Sequence, residues 1–184
     1  VLATFFIHRM SARALGNAVQ ESSGVLLSAG FVLLFTVPMV RILINSGVNM
    51  SDLPSMPLAM ATWAADAVGG IYPLLAPTVG ALGAFLAGSN TVSNMMFSQF
   101  QYEAAMSLHI SPSLIIAAQA VGAAAGNMIA IHNVVAASAT VGLLGMEGAT
   151  LRRTILPTIY YVLFSGIIVM AAIYLFGVQG PLTL

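Results

Sequence analysis

From Thr154 to Phe176 the chain carries no charged residue. A run of that length folds economically in one way, as an α-helix across roughly 30 Å of hydrocarbon, because a helix satisfies its own amides and carbonyls where lipid offers no partner. Arg152-Arg153 stand immediately before it, and Tyr160, Tyr161 and Tyr174 lie toward its ends. That pattern sets its start in the cytoplasm and its rings at the interface. The rest of the chain agrees with a lipid solvent: 59% of it is hydrophobic and 5% charged, against roughly 25% charged in a soluble domain. The expected class is all-α, a polytopic membrane protein with transmembrane helices.

Several function classes drop out at once. Five basic residues balance five acidic ones, which gives no argument for a nucleic-acid partner or a polybasic anchor. Cysteine is absent, so thiol catalysis, disulfides and cysteine-ligated metals are excluded. Lysine is absent as well, which removes a Walker phosphate loop at Gly69-Gly70. The eleven methionines are scattered and form no copper-binding stripe. No enzymatic reaction, cofactor or resident metal is expected. The chain opens at Val1 with neither an initiator methionine nor the marks of a signal peptide, and it reads as a piece of a longer protein.

The first expected span is Gly24 to Ser46, bent at Pro38 and ending near Arg41, which can snorkel. Arg9 and Arg13 mark residues 1–23 as a cytoplasmic or interfacial lead-in. Turn signals from Asn45 to Pro57 follow, and the last span covers 154–177. With both outer spans running outward the middle must return inward, yet it offers only interrupted apolar stretches. Leu58 to Ala87 is broken by Asp66, Gly69-Gly70, Pro73 and Pro77. Val92 to Leu108 is helical, with Asn90, Asn94, Ser98 and Gln101 on one face. Pro112 to Leu144 is interrupted at Gly126-Asn127 and His132-Asn133. The parity is met if 58–109 holds an interrupted helix and a re-entrant hairpin, entering from outside at Tyr72 and leaving at His109, and if 112–145 is a broken helix. Such discontinuous helices line cavities, and secondary transporters aim their N-terminal amides at anionic substrates. Gly122 to Gly126 reads as close helix packing.

The hairpin tip falls on Gly88-Ser89-Asn90-Thr91-Val92-Ser93-Asn94, a polar cluster inside apolar sequence. Ser89, Asn90, Thr91, Ser93 and Asn94 are candidate substrate-binding residues, joined by Asn127, His132 and Asn133 from the second break. Serine, threonine and asparagine also cap helices, and capping and anion contact use the same free amides. Asn127, His132 and Asn133 equally suit hydrogen bonding between helices. Two titratable groups within apolar sequence are proton-relay candidates: Asp66, and His132, whose imidazole changes charge near neutral pH. Glu103 and His109 lie toward the outer end of the hairpin.

The run from Gly80 to Asn94, and the later runs Gly126-Asn127-Met128-Ile129-Ala130-Ile131-His132-Asn133 and Val141 to Gly145, resemble the L-lactate permease family from about Phe31 onward. The first run ends in that family's Gly-Ser-(Asn/Asp)-Thr-x-Ser-Asn pattern. The resemblance implies secondary active transport of L-lactate, with D-lactate and glycolate as further substrates, by proton symport. It also implies the bacterial inner membrane, a lipid bilayer and proton as partners, and an N-terminal part of the permease not present here. The second motif can carry a lysine in that family, and Asn127 stands in its place. Ser-Asn-Thr at a hairpin tip is more broadly similar to dicarboxylate and sodium transporters built from inverted repeats. That leaves a sodium-coupled carrier of another small carboxylate as the near alternative, and a non-transporting membrane subunit as the distant one.

Overall fold

The computed structural model describes residues 5, 7–9, 11–143 and 145–178. Helices are the regular structure among them, with no strand. By contacts the chain divides into two compact units, residues 1–39 and 40–184, and the division falls after Met39, next to Pro38, inside helix α1 (Ala12–Ile44). The Ser11 hydroxyl accepts the Ala14 amide at the start of α1. The helix covers the first expected span as far as Ile44, but most side chains between 21 and 33 lie outside the described set. A 3₁₀ turn, Asn45–Gly47, follows, and Asn49 braces the loop by accepting the Ser51 and Leu53 amides.

In the second unit the first four helices each begin on a residue suited to beginning one. Ser55 caps α2 (Met56–Val68) and Pro57 occupies its first turn, where a missing N–H costs nothing. Gly69, at φ 54°, ends it in a 3₁₀ turn (Gly69–Ile71). Helix α3 (Tyr72–Ala87) carries Pro73 in its first turn and Pro77 inside. The break between Leu58 and Ala87 is therefore at Gly69 alone: Asp66 sits within α2 and neither proline interrupts α3. Helix α4 (Asn90–Ser107) starts from a Ser89 cap, and α5 (Pro112–Gly126) from a Ser111 cap. A non-helical stretch then leads to α6 (Ile131–Thr140), so the second break is at 127–130, and His132-Asn133 belong to the new helix rather than to an interruption. Helix α7 (Glu147–Tyr174) starts earlier than its apolar run and takes in Arg152 and Arg153; Tyr160 and Tyr161 fall well inside it. Leu144 lies outside the described residues.

Among the described residues two stretches are long and apolar enough to cross a membrane, Met56–Ala87 and Glu147–Tyr174; α5 with the start of α6, bent by 45° at the break, makes a third if counted as one span.

Helix α3 is the hub, packing on α4, α5 and α7. Contacts between residues 80 and 93, and between 76 and 101, make α4 antiparallel to α3. The pairs Pro77/Gly122 and Ala81/Gly126 make α5 parallel to it, and Leu74/Gly166 with Gly70/Tyr174 makes α7 antiparallel. Side chains at Gly80, Gly122 and Gly126 would meet the facing backbone, so glycine is what lets α3 and α5 approach so closely. Ala61, Ala64, Tyr72, Ala76, Phe100, Ala104, Ala105, Ile115 and Ala118 form the main core, whereas α7 leaves most of its large apolar side chains exposed.

Candidate functional site

Gly88 ends α3 in the left-handed region, at φ 62°, where a side chain costs about 1–2 kcal/mol. This turn sends the chain back as α4. The Ser89 hydroxyl accepts the Val92 amide at 3.3 Å, and the Ser89 carbonyl accepts the Ser93 amide. The amides of Asn90 and Thr91 precede the first intrahelical bond, so the hairpin tip presents free N–H groups and the positive end of the α4 dipole.

The second break meets this tip. Asn133, in the first turn of α6, donates from Nδ2 to the Gly88 carbonyl at 3.3 Å, and to Asn127 at Oδ1 (3.2 Å) and at the main-chain oxygen (3.4 Å). One amide thus holds the end of α3 and the end of α5. The His132 ring lies against Gly88 so closely that a Cβ there would overlap Nε2 and Cε1. Helix α6 has its own leading amides at this point. Two helix N-termini, α4 and α6, therefore start beside the same glycine.

The sequence candidates separate on this geometry. Asn127, His132 and Asn133 come together with Gly88, adjoining Ser89, Asn90 and Thr91. Thr91 and His132 are exposed, while Asn90, Asn127 and Asn133 are half-buried. Asn94 donates to Asn90 Oδ1 at 2.9 Å, and its own Oδ1 is buried without a hydrogen-bond partner. Ser93 faces the other way: fully buried, it donates to the Gly80 carbonyl at 2.8 Å. Asp66 is exposed on α2, near an exposed Trp63, and is not brought to the tip. Glu103 accepts from Gln99 at 2.7 Å, and His109 is exposed in the α4–α5 turn. No group of three or more His, Asp or Glu side chains converges among the described residues.

Sequence reasoning missed one feature. Gln119, in the middle of α5, joins Gln101, Tyr72 and Ser93 in a buried hydrogen-bonded chain across three helices. The available signal was a lone glutamine among Ala117, Ala118, Ala120 and Gly122, since a polar side chain in an otherwise small and apolar helix must find an internal partner.

The sequence matches the family model described as L-lactate permease over residues 1–176. Among relatives that cover most of the chain, a glycolate permease of Escherichia coli is 29% identical over 95% of this chain and 31% of its own length. An L-lactate permease of Salmonella typhi is 30% identical over 86% of this chain and 26% of its own. An L-lactate permease of Bacillus subtilis is 30% identical over 75% and 23% respectively. The chain spans less than a third of the length of these curated relatives. No solved structure matches it.

Proposed function

This chain belongs to the L-lactate permease family, and we propose that it carries part of the transport site of a secondary carrier for small 2-hydroxy monocarboxylates, L-lactate first and D-lactate and glycolate after it, driven by proton symport across the bacterial inner membrane. The observation that carries this reading is the meeting of the hairpin tip with the broken helix through Asn133 and Gly88.

The chemistry follows from the groups at that point. A carboxylate is received by the Asn90 and Thr91 amides at the N-terminus of α4, where main-chain donors and helix dipole act together. The amide side chains of Asn90, Asn127 and Asn133 are within the same small region and offer both donors and acceptors, which suits a hydroxyl beside the carboxylate. Ser89 orders the tip by capping it, and Asn94 holds Asn90. With Asn127 where a lysine can stand, charge neutralisation falls to a proton. His132, whose ring lies on Gly88, is the group that takes it up, ahead of Asp66, which lies on α2 away from the tip.

Depth is consistent with transport. Helix α5 rises about 22 Å over its fifteen residues, less than the roughly 30 Å of hydrocarbon, so a break at its inner end falls within the bilayer when Pro112 lies at the outer interface. Alternating access then moves hairpin and broken helix against scaffold that this chain does not contain.

The test is radiolabelled L-lactate uptake in transport-deficient cells expressing the complete reading frame that carries these residues, with and without an uncoupler, alongside Asn90→Ala. Uncoupler-sensitive uptake, lost in Asn90→Ala at equal membrane abundance, is expected. Uptake that survives the uncoupler but fails when choline replaces sodium at fixed pH would make sodium the coupling ion. Normal uptake by Asn90→Ala would return the cluster to helix capping.

A further inference from the structure

Between the tip and the core lies a polar chain that the transport chemistry does not use. The Tyr72 hydroxyl donates to Gln101 Oε1 at 2.6 Å. Gln101 Nε2 donates to the Ala76 carbonyl and to Gln119 Oε1, both at 3.0 Å. Gln119 Nε2 donates to Ser93 at Oγ (3.2 Å) and at the main-chain oxygen (3.4 Å), and Ser93 Oγ donates to the Gly80 carbonyl at 2.8 Å. Gln101, Gln119 and Ser93 are fully buried and Tyr72 almost so. The chain therefore ties α3, α4 and α5 together through buried side chains.

Its donor order admits one register. Both protons on each glutamine nitrogen are used, and both glutamine oxygens accept. Flipping Gln119 would set nitrogen against Gln101 nitrogen and oxygen against the Ser93 carbonyl. Sliding α5 by a turn would strand both polar atoms of Gln119 and take one acceptor from Gln101 Nε2 within a buried interface, which is costly. Ser93 stands one turn inside the tip, and Gln119 two turns before the break at Gly126. The clamp thus fixes where the α4 amides stand relative to Asn127 and Asn133.

We propose that Gln119, with Gln101 as its partner, is a positioning residue for the transport site: it holds the Ser89–Asn90 tip in register with the 127–130 break, so that hairpin and α5 move as one body. This rests on the proposed transport function, and the test separates the two.

In the complete reading frame freed of cysteines, Ser89→Cys and His132→Cys are joined by a short bismaleimide, with a protease site inserted at His109 so that linked halves stay together on a denaturing gel. Gln119→Leu, which keeps the volume but not the amide, is expected to slow this cross-linking at least fivefold. Without the cysteine pair, it is expected to raise the apparent KM for L-lactate at least fivefold at wild-type abundance. A merely structural Gln119 would lower abundance and maximal uptake while leaving KM and the cross-linking of surviving protein unchanged, and that result overturns the proposal. Should Gln119→Leu fail to reach the membrane, Ser93→Ala removes one acceptor of the clamp and keeps the glutamine pair. It is expected to slow cross-linking at least twofold, and an unchanged rate overturns the proposal. If the wild type takes up no lactate, the transport reading fails, and cross-linking alone decides for or against the clamp.

Discussion

Gly122→Ala tests how closely α3 and α5 approach. A Cβ at this position would overlap the Pro77 carbonyl and stand 2.6 Å from Pro77 Cα, whereas carbon atoms rest at about 3.5 Å or more. Helix α5 must withdraw by about 1 Å or more, since the carbonyl oxygen lies closer than Cα, and because the obstruction is backbone, no rotamer change relieves it. A gap of that size forfeits a quarter to a half of the dispersion attraction along the shared face. It also stretches the Gln119 bonds to Ser93, already 3.2 and 3.4 Å, beyond useful range. Overpacking of this kind costs about 1–3 kcal/mol, and two interhelical bonds add about 0.6 kcal/mol each, so the total is about 2–4 kcal/mol. Gly148→Ala is the control: nothing lies within 4 Å of its added Cβ, and exchanging glycine for alanine in a helix stabilises by at most about 1 kcal/mol. Equilibrium unfolding in mixed micelles, followed by helical circular dichroism, measures both. A Gly122→Ala protein within about 0.5 kcal/mol of wild type, or a Gly148→Ala protein equally destabilised, would refute the close-contact argument.

Two further outcomes follow from the site. Ser89→Ala removes the cap on the Val92 amide and should cost about 1 kcal/mol of stability, read in the same unfolding assay, with uptake reduced because the tip amides are less ordered. Asn133→Ala cuts the bonds that join Gly88 to Asn127; uptake should fall more than tenfold at normal abundance, and Asn133→Asp, which keeps the shape but loses the donors, should not restore it.

The hairpin was legible because its signals are local. A glycine followed by serine ends one helix and caps the next, and Ser-Pro at Ser111-Pro112 does the same for α5. Position within the breaks was less legible. His132 and Asn133 interrupt the hydropathy but not the backbone, because Asn133 turns its amide back onto Asn127 and Gly88 instead of competing for the turns of α6. Ser93 resembles its neighbours in the polar cluster, yet helical rotation carries it into the α3–α5 interface. Spacing put Gln101 on one face with Asn90 and Asn94; its burial depends on Gln119 in another helix, a relation no local pattern encodes. Asp66 looked confined by apolar neighbours, but it lies on the exposed side of α2.

The groups that join α3, α4 and α5 are amides, a phenol, a hydroxyl, glycines and apolar side chains, all without net charge. Added electrolyte screens charges and leaves such a joint untouched. Ionic strength therefore becomes a selective probe of the proposed transport: where uptake changes with salt while folding does not, the change reports the approach of an anion or a proton to the tip, not a loosening of the helices that hold it.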